Sequence, residues 1–252
     1  MQVFERISDW QTARASSGFA GRTVGFVPTM GALHDGHRAL LRRARAENDR
    51  VVLSIFVNPA QFDDPADLTR YPRTPGSDLA MAEELVDCVL VPSPDELYGD
   101  KYRYRVTETE LSRRLEGAHR PGHFDGVLTV VLRLLNLVQA NRAYFGEKDW
   151  QQLRLVRGMA QAFFLPVEIV ACSTERAADG LALSSRNQRL SSTGRIQASS
   201  FPRILRESST AAAATMLLKA AGFDVDYVED DEDIRLGAVR LEGIRLIDNV
   251  RL

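Results

Sequence analysis

A doubly wound α/β fold is what the 252 residues predict, and three observations predict it. Short apolar runs recur five times in the first two thirds of the chain. Their apolarity is continuous rather than alternating, the pattern of strands covered on both faces. Between them, apolar residues fall three and four apart, as on helices that present one face to a sheet. In order, TVGFVP (23–28) reads as a strand, HRALLRRARAEN (37–48) as a helix, VVLSIFV (51–57) as a strand and SDLAMAEELV (77–86) as a helix. VDCVLVP (86–92) is the third strand, VLTVVLRLLNLVQ (127–139) a helix, RAYFG (142–146) the fourth strand, QQLRLVRGMAQAFF (151–164) a helix and VEIVAC (167–172) the fifth strand. This is a Rossmann-like parallel sheet wound on both faces. After about residue 174 the rhythm changes to a polar segment, an alanine-rich stretch (210–222) and two closely spaced β-like runs, IRLGAVRL and IRLIDNVRL. The expected organisation is therefore a large domain over 1–174 and a smaller α+β domain over 175–252. The acidic run EDDED (229–233) is expected to be a solvated turn.

Composition narrows the function. Apolar content of 44%, charged content of 26% and a net charge of −2 are those of an ordinary globular protein and do not point to a nucleic-acid partner. The longest apolar run is interrupted by Arg133 and Asn136 and is too short for a bilayer span. MQVFERISDW has no basic stretch followed by a long apolar one, so no signal peptide is expected, and a cytoplasmic enzyme is. Cys88 and Cys172 lie in apolar runs with no CxxC spacing, as buried thiols do. Lysine occurs only at 101, 148 and 219, which draws attention to Lys148.

In a doubly wound sheet ligands sit beyond the carboxyl ends of the strands, and the unusual residues lie there. Neither GxxxxGK[ST] nor a GxG pair is present, so any nucleotide must be held by another device. PTMGALHDGH (28–37) offers one: Gly31 admits close approach of backbone, and Gly36 and His37 open a helix whose N–H groups and dipole favour an anion. His34 and His37 there can be neutral donors that gain charge stabilisation as phosphate charge develops; capping histidines, or an i, i+3 metal pair, are the other readings. After the second strand, Asn58 and Gln61 offer carboxamides suited to hydroxyl and carboxylate groups, or simple turn chemistry. FGEKDWQQL brings Lys148, a point charge suited to phosphate, with Gln152 a helical turn on. Ser184, Ser185 and Arg186 make a candidate phosphate clamp at the start of the small domain, and Arg120 and His123 flank a Pro-Gly turn.

Taken in order, PTMGALHDGH, SIFVNPAQF, YPRT, LEGAHRPGHFDGV, FGEKDWQQL, DGLALSSRN and, near the end, RLIDN resemble the pantothenate synthetase (pantoate:β-alanine ligase) family of the adenylate-forming nucleotidyltransferases. The likeness is strong over residues 1–192 and then confined to the last strand region. It implies condensation of pantoate with β-alanine, in the coenzyme A pathway, through pantoyl adenylate, with ATP as co-substrate, Mg2+ and a homodimer. It also implies roles. Met30, Gly31, Ala32, Leu33, His34, Asp35, Gly36 and His37 cradle ATP, with His37 in the acid role. Gly146, Glu147, Lys148 and Asp149 meet the nucleotide, Lys148 on phosphate and Asp149 on the ribose side. Leu183, Ser184, Ser185 and Arg186 form the second signature loop, and Glu175 offers backbone to adenine. Gln61 and Gln152 hold pantoate, Asn58, Pro28 and Thr29 line that pocket, and Arg120 and His123 lie near it. Asp78 helps hold magnesium through water. His37, His34, Lys148 and Arg186 are the implied catalytic set. Two departures stand out: Trp150 replaces the family's usual Tyr or Phe, and Glu175 a small apolar residue. The segment after residue 193 is expected to be shorter than the family's and to leave the lid trimmed. A sibling transferase acting on a phosphorylated acceptor would want more basic residues than Asn58, Gln61 and Gln152 provide. A non-catalytic ATP-binding relative would rest only on the altered small domain.

Overall fold

The structure, a computed structural model, describes residues 1–252. The chain forms two compact units, one of Met1–Leu33, His37–Gly146 and Gln151–Cys172, the other of His34–Gly36, Glu147–Trp150 and Ser173–Leu252.

The first unit carries a six-stranded sheet of β1 (Gln2–Phe4), β2 (Val24–Thr29), β3 (Arg50–Ile55), β4 (Cys88–Leu90), β5 (Arg142–Gly146) and β6 (Glu168–Cys172). Its order is β1-β4-β3-β2-β5-β6, and every pairing is parallel. The helices between, in chain order, are α1 (Ile7–Arg14), α2 (Asp35–Glu47), α3 (Pro65–Arg70), α4 (Pro75–Ala82), α5 (Pro94–Leu97), α6 (Glu116–His119), α7 (His123–Val138) and α8 (Trp150–Ala162). All five sequence-derived strands form. β1 and α1 are additional, built from a segment too short and mixed to show a period. They are anchored by Trp10, fully buried, whose ring meets Phe4 and Phe19 edge-on and whose Nε1 donates to the Leu137 carbonyl at 2.8 Å.

The sheet reverses its winding between β2 and β5, the switch point where such folds open a crevice. β2 runs beside β3 over its whole length, from Val24↔Arg50 to Thr29↔Ile55, but pairs with β5 only at Gly25↔Arg142 and Phe26↔Ala143. The Val24 carbonyl accepts from Asn141 N on the β5 side and the Thr29 carbonyl from Phe56 N on the β3 side. Alternation along the strand then turns the nitrogen of Pro28 toward β5, beyond the last pair. A residue without an N–H stops that ladder at no cost to the β3 side. The two strands part there.

The second unit holds an antiparallel sheet, β7 (Asp224–Asp231), β8 (Ile234–Leu241) and β9 (Ile244–Arg251), with α9 (Ser192–Ala198), α10 (Ser200–Glu207) and α11 (Ala211–Ala220). Its own core joins Phe201 and Leu205 of α10, Leu218 of α11, Phe223 and the inward residues Val239 and Leu246. The acidic run is not a turn, contrary to the sequence reading. Glu229, Asp230 and Asp231 lie in β7 opposite Leu236, Arg235 and Ile234, and only Glu232 and Asp233 turn the chain. The reason is a buried cation: Arg235, 1% exposed, receives the Asp230 carboxylate at 2.7 and 3.0 Å and donates to the Leu205 and Ser208 carbonyls at the end of α10. A buried guanidinium needs a carboxylate, and the acidic strand supplies it.

Candidate active site

Three of the motifs singled out from the sequence directly follow the carboxyl end of a strand: 28–37 after β2, 58–62 after β3 and 146–152 after β5. In the first unit, Thr29 closes β2 and its hydroxyl donates to the Ser54 carbonyl at 2.7 Å while accepting from Gly31 N at 3.2 Å. Gly31 (φ 79°) and Ala32 (φ 50°) then take two consecutive left-handed conformations. Asp78, 2% exposed in α4, accepts from Ala32 N at 3.0 Å and Leu33 N at 2.8 Å, and also from the Thr74 hydroxyl at 3.0 Å. A Cβ on Gly31 would come within 3.0 Å of Asp78 Oδ2, so glycine is needed there for room as well as for φ.

After β3 the two carboxamides meet. Asn58, 1% exposed, donates to Gln61 Oε1 at 3.0 Å and to the Gly126 carbonyl at 3.1 Å, and accepts from Ala60 N and from the Tyr98 hydroxyl at 2.7 Å. This makes Asn58 the hydrogen-bond centre of the Pro59–Gln61 turn, with Gln61 Nε2 reaching Met30 Sδ at 3.1 Å. The Gln61 carbonyl is met by His123 Nδ1 at 2.7 Å and by Arg120 Nη2 at 3.3 Å, and Arg120 Nη1 lies 3.2 Å from His123 Nε2. A carbonyl partner on Nδ1 and a guanidinium on Nε2 select the neutral Nδ1–H tautomer. Burial, then the Arg120 charge, lowers the His123 pKa to about 4. Gly126 is the signal the sequence reading missed: a Cβ there would overlap the Ala60 carbonyl at 2.3 Å, so α7 reaches the Pro59–Gln61 turn only through glycine. Of the two glutamines of α8, Gln151 is buried and structural, bonded to Leu111 O, Arg114 O and Glu116 N. Gln152 is the half-buried one.

In the second unit, Gly36 N donates to His34 Nδ1 at 3.1 Å, which places the neutral ring's proton on Nε2. The Cε1–Nδ1 edge of the imidazole lies close to Gly36, where a Cβ would stand 2.8 Å from Cε1. Burial and the neighbouring Lys148 charge hold the His34 pKa down to about 4, against the opposing pull of Asp149 and Asp35. His34 is thus an uncharged donor at neutral pH. Lys148 Nζ is 3.8 Å from Asp149 Oδ1. The Glu147–Lys148 turn is held by Asn249, whose Nδ2 donates to both carbonyls at 2.9 and 3.0 Å. Its neighbour Asp248, 3% exposed, takes Arg176 in a two-pronged pair at 2.7 and 2.9 Å. RLIDN therefore organises backbone that carries the lysine, a role its spacing in the sequence did not show. Ser184 accepts from Arg186 N at 3.3 Å, Ser185 is buried, and Leu183 N donates to the carbonyl of the exposed Glu175 at 2.9 Å. The indole N–H of Trp150 is buried without a hydrogen-bond partner, a donor that a phenylalanine would not bring. No group of three or more His, Cys, Asp or Glu residues is placed to hold a metal ion.

A six-stranded parallel sheet with a splayed switch point defines the first unit as a Rossmann-like α/β domain. A sequence profile described as pantoate-beta-alanine ligase matches residues 2–251. Pantothenate synthetase of Bdellovibrio bacteriovorus is 53% identical over 253 residues, covering 100% of this chain and 99% of the relative, and that of Coxiella burnetii is 49% identical over 99% of this chain and 96% of the relative. Among solved structures, pantoate-beta-alanine ligase of Francisella tularensis, complexed with beta-gamma ATP and beta-alanine, superposes with a TM-score of 0.95 at 39% identity, covering 100% of this chain and 97% of that one. Pantothenate synthetase of Thermus thermophilus gives 0.91 at 41% identity, with 100% and 99% covered. The chain belongs to the pantoate–β-alanine ligase family and is a ligase. The matches run through the small domain to its end, and the Bdellovibrio bacteriovorus relative has the same extent, so against that relative the expected trimming after residue 193 is not found; the alignment with the Cereibacter sphaeroides relative runs over 271 residues.

Proposed function

We propose that the ligase works in two steps on fixed electrostatics. The carboxylate of pantoate attacks the α-phosphorus of ATP, which enters as its magnesium complex, and pyrophosphate leaves. The amine of β-alanine then attacks the acyl carbon of pantoyl adenylate and AMP leaves. Neither step needs a protein nucleophile; both need donors aimed at charge that grows on phosphate oxygens. The observation that carries this reading is the state of His34, an imidazole kept neutral with its proton on Nε2 in the company of Lys148. Such a donor binds phosphate without being a fixed cation and gains strength as charge develops.

Met30–His37, Gly146–Asp149, Glu175 and Leu183–Arg186 take the nucleotide in this reading, with His37, His34, Lys148 and Arg186 on the reacting phosphates. Gln61 and Gln152 take pantoate; Asn58, Pro28, Thr29, Arg120 and His123 shape its pocket. Residues 1–174 bind the substrates and 175–252 act as the lid, in a cytoplasmic homodimer. That a relative's structure carries beta-gamma ATP and beta-alanine supports ATP and β-alanine as substrates of this site. The test is pantoate-dependent exchange of labelled pyrophosphate into ATP with magnesium present and β-alanine omitted. Exchange that requires pantoate establishes the adenylate half-reaction; ATP binding without exchange refutes it.

A further inference from the structure

We propose that Asp78 is a positioning residue that clamps the Gly31–Leu33 turn into its ligand-binding shape, and that it is not a magnesium ligand. The inference rests on the reading that Met30–His37 binds ATP.

The carboxylate accepts from two backbone amides and one hydroxyl of its own fold. Oδ2 accepts from Ala32 N at 3.0 Å; Oδ1 accepts from Leu33 N at 2.8 Å and from the Thr74 hydroxyl at 3.0 Å. Ala32 and Leu33 are themselves buried, so their N–H groups have no access to water, and an unmade bond at either would carry the full desolvation penalty. Bonds to a carboxylate are the strong kind, and here they hold a non-glycine residue, Ala32, in the left-handed region at φ 50°. The third donor supports the same assignment. Thr74 occupies the N-cap position of α4 but makes no side-chain cap bond; its hydroxyl is turned to Asp78 instead. A helix has forgone its own cap to aim this carboxylate, 45 residues downstream of the turn it grips. Gly31 completes the fit, since any side chain there would press on Oδ2.

Magnesium does not fit this site. The cation prefers oxygen ligands in octahedral array with several waters retained. Asp78 is 2% exposed, stands in no cluster of acidic or imidazole ligands, and is approached by the positive ends of two N–H dipoles. A cation bound here would strip the turn of its acceptor.

The test is Asp78→Asn, which keeps the shape and replaces one oxygen by a donor. Three readouts are taken: amide hydrogen exchange at Ala32 and Leu33, KM for ATP and kcat in pantoate-dependent pyrophosphate exchange, and the free-magnesium dependence of activity at fixed Mg·ATP. Protection of the two amides falls and KM for ATP rises, each roughly tenfold or more, kcat falls less, and the magnesium midpoint stays where it is. Unchanged protection and KM would overturn the proposal, as would activity restored by raising magnesium. Should Asp78→Asn not fold, Thr74→Val removes one donor only, with a roughly threefold or greater rise in KM expected, below that of Asp78→Asn because both amide bonds remain, and the same magnesium criterion. A wild-type enzyme without pantoate-dependent exchange refutes the function reading while the amide protection still decides the clamp.

Discussion

The turn after β2 and the turn at Leu183–Arg186 are assigned to the same nucleotide, yet they are built in opposite ways. The first is gripped from afar: a buried carboxylate holds the left-handed Ala32 and its neighbour Leu33 through charge-assisted bonds. In the second, neutral bonds within the segment take part, and Leu183 N reaches back to the Glu175 carbonyl at 2.9 Å. Arg186 N and Asn187 N bond to the side chain and carbonyl of Ser184, and Asn187 Nδ2 to the Ala182 carbonyl at 2.9 Å. Bonds to ionised acceptors are roughly twice as strong as neutral ones, and a long-range clamp cannot be released by a local rearrangement. In the proposed reading the contrast is a division of labour: the first turn is preorganised to receive phosphate, and the second re-forms around it.

The largest effect should fall on the residue that the clamped turn delivers. His37 is the third residue of α2, directly beyond Leu33–Gly36. His37→Ala should lower kcat for pantothenate formation by roughly a hundredfold or more, the scale of one oriented transition-state donor. Near-normal turnover would remove His37 from the mechanism and with it the reason for bracing this turn. A smaller loss is expected in the locally held turn. Ser184→Ala deletes a cap and a hydroxyl, together about 1 to 2 kcal/mol, so kcat/KM for ATP should fall by roughly tenfold. If steady-state kinetics give a loss equal to that of His37→Ala, the two turns are equally preorganised and the contrast drawn here fails.

How much of this was legible in the sequence depends on range. The five strands, the helices after them and the signature residues could be read because apolar period and glycine-histidine turns are local properties: His34, Lys148 and Ser184 can be singled out within their own ten residues. What could not be read is whatever is defined by a partner far along the chain. Nothing in YPRTPGSD tells that Asp78 meets the amides of Ala32 and Leu33. Asp248 and Asn249 carry no visible duty until the chain returns them to Arg176 and to the Glu147–Lys148 backbone. The acidic run looks like a turn because the buried Arg235 that needs it is not part of its period. Family resemblance supplied the names of site residues, whereas these supports had to be seen in three dimensions.

The smallest effect concerns acid, and it falls on the preorganised region through His123. The ring is buried and neutral in the folded state with a pKa of about 4, against 6.5 in an unfolded chain. Between these values the unfolded state binds the proton and the folded state does not, so stability is complete above the unfolded value and is lost as pH falls from about 6.5 toward 4. Over the partial step from pH 7 to 5.5 the linkage amounts to about 1 kcal/mol. Urea unfolding of the wild type should lose that increment relative to His123→Gln, whose amide can still donate to the Gln61 carbonyl but has no proton to take up. His34 acts with the same sign and is present in both proteins, so it cancels from the difference. Parallel pH slopes in the two proteins would mean that His123 is already charged in the fold. The hydrogen bond from Arg120 to its Nε2 could then not exist, and the wall around Gln61 would need another organiser.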